Sequence, residues 1–200
     1  MGALELGLLA AMCWGFHDVC VRFISQKTPI SACILTVLIV GLIFHIGLMI
    51  PTKEITVISK SAFVLATIAG VSFVIASFCL YYAFKRGPVK LVAPLIASYP
   101  ILSISWAIWI GTPISKFQIL AVLAIIFGVS IVAVLSDISE EKIPPIGKTI
   151  ALSLIAAIAF ACTFASGQAA AELSPHMSAT LVTRIISIML CAIIIYFAGL

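Results

Sequence analysis

Charged residues punctuate this chain at wide intervals, and the gaps between them are its clearest pattern. No Asp, Glu, Lys or Arg occurs in residues 28–52, 61–84, 91–115, 117–136 or 149–171. Each gap can hold a helix of about 20 residues, the length that crosses the ~30 Å hydrocarbon core of a bilayer. Two further apolar stretches carry charge inside them: Leu6–Phe23 holds Asp18 and Arg22, and Ser178–Leu200 holds Arg184. The pattern predicts seven helices, at 4–24, 30–50, 62–84, 91–110, 117–136, 150–170 and 178–199. A membrane β-barrel would show segments of alternating polarity, and these runs are continuous. The expected fold class is all-α, a polytopic membrane helix bundle.

Composition agrees. Of 200 residues, 64% are hydrophobic and 9% charged, whereas a soluble domain is about 45–50% apolar and about 25% charged. Disorder needs the opposite balance. The net charge of +4 comes from 11 basic and 7 acidic residues that form no patch, so no nucleic acid is expected as a partner. The expected partners are the lipid bilayer and a small-molecule solute. All six cysteines fall inside apolar spans with no Cys-x-x-Cys pair, which suits packing; neither metal nor cofactor is expected. The first span lacks a basic leading region and reads as a retained helix rather than a signal peptide. The expected setting is a multi-pass protein of the cell membrane, specifically a bacterial inner membrane.

Connections between spans are short, except for one polar stretch rich in Asp, Glu, Lys and Pro. It divides the chain into a five-helix unit at 1–136, a linker at 137–148 and a two-helix unit at 149–200. Shifting the sequence by 146 residues sets Leu6–Ala11 over Leu152–Ala157, Trp14 over Phe160 and Pro29 over Pro175 without a gap. The two prolines, each opening a helix at the same distance, point to an internal repeat. A five-helix unit is odd, so its second copy enters the membrane from the opposite side. Such inverted repeats recur in secondary transporters, with the solute site near the midplane between copies.

Several motifs then carry a family resemblance. They are Trp14-Gly15, Pro29, Leu80-Tyr81-Tyr82-Ala83-Phe84-Lys85, Ala93-Pro94-Leu95-Ile96-Ala97-Ser98-Tyr99-Pro100, and Gln118-Ile119-Leu120-Ala121 with Gly128-Val129. In this order and spacing the chain resembles the EamA-like branch of the drug/metabolite transporter superfamily. The resemblance implies two inverted five-helix repeats and the movement of small organic metabolites such as amino acids, nucleobases, polyamines or drug-like solutes. Two positions depart from the family pattern. Thr112 follows Gly111 where an acid is usual, and Ala121 stands where glycine is favoured. Five helices plus two are present where the repeat arithmetic asks for ten, so an incomplete copy is expected. Either a second copy of the chain or further C-terminal helices would complete the bundle.

Ionisable groups inside a span are costly and tend to face a cavity or a partner. Trp14, Asp18 and Arg22 recur at four-residue spacing and share one face of the first helix. That stripe either lines a solute path, with Asp18 as proton or cation acceptor and Arg22 as its counter-charge, or sits solvated at the interface with Arg22 snorkelling. His17 is a proton-relay candidate, although its position beside Asp18 predicts a different face. In the fourth span, Pro100 removes the donor for the Ile96 carbonyl. Freed backbone at membrane depth is tolerated where it lines a cavity, which nominates Ser98, Tyr99, Pro100, Ser103 and Trp106 for the solute path. The alternative there is a plain kink satisfied by serine side chains. Tyr81 and Tyr82, beside Lys85-Arg86, read as interface-belt residues. Arg184, with no acid near it in sequence, is the last candidate and suggests an anionic group.

An enzyme is not expected. Residues 178–200 contain no lysine for a retinal, Phe164-Ala165-Ser166-Gly167 lacks the first glycine of an intramembrane serine protease, and no zinc-protease or phosphate-loop motif occurs. No catalytic residue is assigned. The alternative to a transporter is a non-transporting membrane protein, structural, accessory or truncated. Orientation is open: loops one, three and five carry seven basic residues against three in loops two and four, which places the N-terminus outside, whereas the family resemblance implies inside.

Overall fold

The computed structural model describes residues 2–52, 57–135 and 146–199. The described residues form eight helices: α1 (Ala3–Ile24), α2 (Ile30–Thr52), α3 (Lys60–Arg86), α4 (Val89–Ile96), α5 (Tyr99–Trp109), α6 (Lys116–Leu135), α7 (Ile146–Leu173) and α8 (His176–Ala198). Six spans are long and apolar enough to cross a membrane, counting α4 and α5 as one; the apolar part of α6, Lys116–Ile131, is shorter. The polytopic helical bundle expected from the charge pattern is the fold.

Polar residues at the span ends set the boundaries. Ser59 accepts from the Ala62 N–H at 3.2 Å and caps α3. Ser115 and Gln118 form a reciprocal capping box at the start of α6: Gln118 N–H donates to the Ser115 hydroxyl, and Ser115 N–H to the Gln118 side chain. Gly111, at φ +81°, turns the chain after α5 in a conformation that only glycine adopts cheaply. Of the expected linker, residues 137–145 lie outside the described residues, and Ile146–Lys148 already belong to α7.

The fourth span differs from the single helix expected over 91–110. It breaks at Ala97–Ser98 into α4 and α5. Proline at 100 has no N–H to continue the ladder to Ile96. The Ser98 hydroxyl instead donates to the Leu95 carbonyl at 2.6 Å, and α5 restarts with Ile101 N–H donating to the Ser98 carbonyl. A second stop therefore precedes the proline by two residues, giving eight helical elements where seven were expected.

The α3–α7 pair is the centre of the bundle. Ser59 of α3's cap meets Ser174 just beyond α7, while Gly87 at the other end of α3 packs against Thr149, so the two helices run antiparallel. Their seam is made of small side chains, with Ala62, Ala66, Ala69, Ala76 and Ala83 buried on α3 and Ala156, Ala157, Ala159 and Ala170 on α7. In lipid, where apolar burial alone does not drive helices together, small residues permit the close backbone approach that does. Along α8, the Thr183 hydroxyl donates to the Ala66 carbonyl and the Ser187 hydroxyl to the Gly70 carbonyl. Both partners advance together, so α8 runs parallel to α3. Helix α2 crosses α8 antiparallel: His45, buried on α2, bonds the Met177 carbonyl at 2.9 Å, while Gly41 lies against Arg184. Helices α1 and α6 lie on the outside, with Phe16, Phe23, Phe117 and Phe127 strongly exposed. This is a multi-pass membrane protein whose apolar exterior suits lipid.

Candidate functional site

Helix α1 supplies the polar part of the site. The His17 ring bonds the Asp18 carboxylate through Nδ1 at 3.1 Å and the Tyr81 hydroxyl through Nε2 at 3.1 Å. A neutral imidazole with its proton on Nδ1 satisfies both contacts, donating to Asp18 and accepting from Tyr81. The expectation that His17 points away from Asp18 is corrected: the ring and the carboxylate turn toward each other across adjacent positions. Tyr81 is buried in the bundle rather than sitting in an interface belt. Tyr82, half-buried, stacks on Phe78.

Arg22 lies one turn beyond Asp18, and its guanidinium donates to the Phe84 carbonyl. That carbonyl belongs to the last turn of α3, where a cation is favoured by the helix dipole. The neighbouring Gln26 amide reaches the Lys85 carbonyl in the same way. The C-terminal end of α1 is thus clamped to the end of α3.

Two of the clefts beside these residues share a partition. One, of about 280 Å³, lies between α1, α2, α3 and α7 and is lined by Cys13, His17, Leu38, Phe73 and Tyr81 among others. The second, of about 480 Å³, lies between α1, α3, α4, α5, α6 and α7. Asp18 lines the second, together with Ile96 and Tyr99 on either side of the helix break, and with Phe164 and Val129. Trp14, Leu80 and Phe160 line both clefts and form the partition between them. The aromatic rings are in contact: Trp14 meets Phe160 edge-on at 5.9 Å, and Tyr99 lies 6.4 Å from Phe160 and 5.2 Å from Phe164 between centroids. A volume of several hundred Å³ with mainly apolar walls and one convergent acid is the usual form of a small-molecule site.

The structure brings together Trp14, Asp18 and Tyr99 of the sequence candidates, with His17 behind Asp18. It does not bring in the others. The Ser98 and Ser103 hydroxyls bond the Leu95 and Tyr99 carbonyls of their own span. Pro100 stands in the first turn of α5 and does not line the cleft. Trp106 is exposed and packs on Trp109 at 4.9 Å. Arg184 sits on α8 against Gly41 and does not line Asp18's cleft. Phe160, Phe164 and Leu80 were not singled out from sequence. The signal for Phe160 was the repeat shift itself, which set it over Trp14, the ring it meets. Among the described residues no cluster of three His, Cys, Asp or Glu side chains could hold a metal ion.

Comparison with known proteins agrees with this architecture. Residues 1–134 match the EamA-like transporter family. The uncharacterized protein MJ1333.1 of Methanocaldococcus jannaschii is 28% identical over 133 residues, 66% of this chain and 96% of that protein. No solved structure matches.

Proposed function

Because the chain belongs to the EamA-like transporter family, we propose that it is a secondary transporter that moves a small organic solute across the cell membrane by alternating access. The observation that carries this is the cleft of about 480 Å³ whose wall combines the intramembrane acid Asp18 with the broken ends of α4 and α5. Discontinuous helices at a solute site are a recurring device of secondary transporters, where one bundle rocks against another around a fixed site. The turn at Ala97–Ser98 provides a place for the backbone to absorb such movement. Trp14, Asp18 and Tyr99 contact the solute, and His17 holds the Asp18 carboxylate in place.

The organisation proposed is a five-helix repeat over 1–136, a linker at 137–148 and the first two helices of an inverted repeat at 149–200. In support, the Methanocaldococcus relative is covered almost end to end by 133 aligned residues, about the length of one such unit. The test is uptake into proteoliposomes of a panel spanning amino acids, nucleobases, polyamines and amphipathic drugs, over a range of protein-to-lipid ratios so that a second copy can contribute. Saturable uptake above protein-free vesicles, abolished by Tyr99→Ala, is expected. No uptake across the panel at any ratio would favour a non-transporting membrane protein.

A further inference from the structure

The larger cleft has a lining whose chemistry is one-sided. Its only ionisable carboxylate is Asp18, and no Lys or Arg lines it among the described residues. The nearest base along α1, Arg22, directs its guanidinium to the Phe84 carbonyl. The remaining polarity is small, and four aromatic rings, Trp14, Tyr99, Phe160 and Phe164, form a connected wall around the acid. From these residues we infer that the cleft selects a small organic cation, a quaternary or protonated amine with an apolar body, bound between Asp18 and the aromatic wall.

The inference rests on the transporter reading and names the class of its solute. A cation leaving water needs compensation that apolar walls alone cannot give. Aromatic faces carry negative quadrupoles and attract ammonium groups held within about 6 Å of the ring centroid, more strongly where water is excluded. A carboxylate adds full opposite charge, and in low dielectric that attraction is much stronger than in water. His17 engages one Asp18 oxygen, Oδ1, and an ionised carboxylate has about four lone-pair sites, so acceptor capacity remains for a ligand. An anion meets the reverse: a like charge and the wrong face of every ring. A neutral solute gains at most a hydrogen bond from Asp18, without the charge–charge attraction or the pull of the ring faces on a cation. Arg184, the one candidate suited to an anion, is absent from this lining.

The experiment measures equilibrium binding to the purified full chain in detergent, using three probes of similar size: benzyltrimethylammonium, benzyl alcohol and benzoate. The ammonium is expected to bind at least tenfold more tightly than either of the others. Asp18→Asn should reduce its affinity about tenfold or more, Tyr99→Leu and Phe164→Leu about threefold each, and Tyr99→Phe much less. If Asp18→Asn does not fold, the three-probe comparison on the unaltered protein decides alone. Benzoate or benzyl alcohol binding as tightly as the ammonium, or an Asp18→Asn protein of undiminished ammonium affinity, would overturn the inference. Because binding is read without flux, the two readings fail separately. Uptake of anionic or neutral solutes with no ammonium binding leaves a transporter and removes the cation site. Ammonium binding with no uptake of any solute leaves the site and removes transport.

Discussion

The Ser187 hydroxyl lies between two carbonyls, 3.0 Å from that of Gly70 on α3 and 2.8 Å from that of Thr183 on its own helix. A β-carbon on Gly70 would lie 2.7 Å from the Thr183 carbonyl oxygen and 3.1 Å from the Ile186 β-carbon. Neither atom can move without its helix, so Gly70→Ala must push α8 away from α3. Forced overpacking of this kind costs about 1–3 kcal/mol, more than the gain from alanine's better helix propensity. Ser187→Ala should cost less, about 0.6 kcal/mol, the scale of a hydrogen bond between membrane helices. The two effects share one seam and should not add. Thermal unfolding in detergent checks both, and a Gly70→Ala protein as stable as the parent would refute the close packing.

The pairing of α3 with α7 can be tested chemically. The Ser59 and Ser174 hydroxyl oxygens lie 3.4 Å apart, although the residues are 115 positions apart in sequence. With the six native cysteines replaced, Ser59→Cys and Ser174→Cys together should form an intramolecular disulfide under mild oxidation, since side-chain atoms this close bring β-carbons near the range a disulfide spans. A gel-mobility shift reversed by reductant is the expected readout. Failure to cross-link in folded protein would contradict the antiparallel arrangement.

The His17 ring is held from both sides, and its outer support is Tyr81. Tyr81→Phe keeps the ring volume and removes the hydroxyl, leaving Nε2 without that partner. The net cost of one such bond is about 1 kcal/mol. A freer imidazole also orients Asp18 less well, so solute affinity in the larger cleft should fall about two- to fivefold while the number of binding sites per chain stays constant. Equal loss from Tyr82→Phe, whose ring packs on Phe78 instead, would show that the effect is not transmitted through His17.

How much of this was legible from sequence depended on the range of the interaction. The spans were legible because excluding charge from lipid is a local rule, obeyed in each of the five charge-free runs between Thr28 and Ala171. The broken fourth span was half legible. Pro100 announced a missing donor, but the stop fell at Ala97–Ser98 because the Ser98 hydroxyl competes for the Leu95 carbonyl, a local choice that helix periodicity does not encode. The site's polar core was illegible where it mattered: His17 and Tyr81 are 64 residues apart, and nothing in either local pattern announces the contact. Asp18 was nominated as a costly charge and lines the larger cleft, but the same rule nominated Arg184, which does not. Insertion cost identifies groups that need an environment without saying which environment they share.

Arg184 and Gly41 supply a comparison that separates two kinds of crowding. The guanidinium of Arg184 occupies the space where a Gly41 side chain would begin, and its buried Nε has no hydrogen-bond partner among the described residues. The obstacle to Gly41→Ala is therefore the tip of a long, flexible side chain with several rotatable bonds. At Gly70 it is a carbonyl oxygen of the α8 backbone. Moving the arginine tip forfeits no Nε hydrogen bond, and alanine is favoured over glycine inside a helix by about 1 kcal/mol. Gly41→Ala should consequently be neutral or slightly stabilising, while the same substitution at Gly70 is destabilising. Melting temperatures of the two variants, measured in the same detergent, decide the matter. A Gly41→Ala protein that loses as much as Gly70→Ala would mean that the arginine is fixed in place by a partner its neighbours on α2 and α8 do not provide.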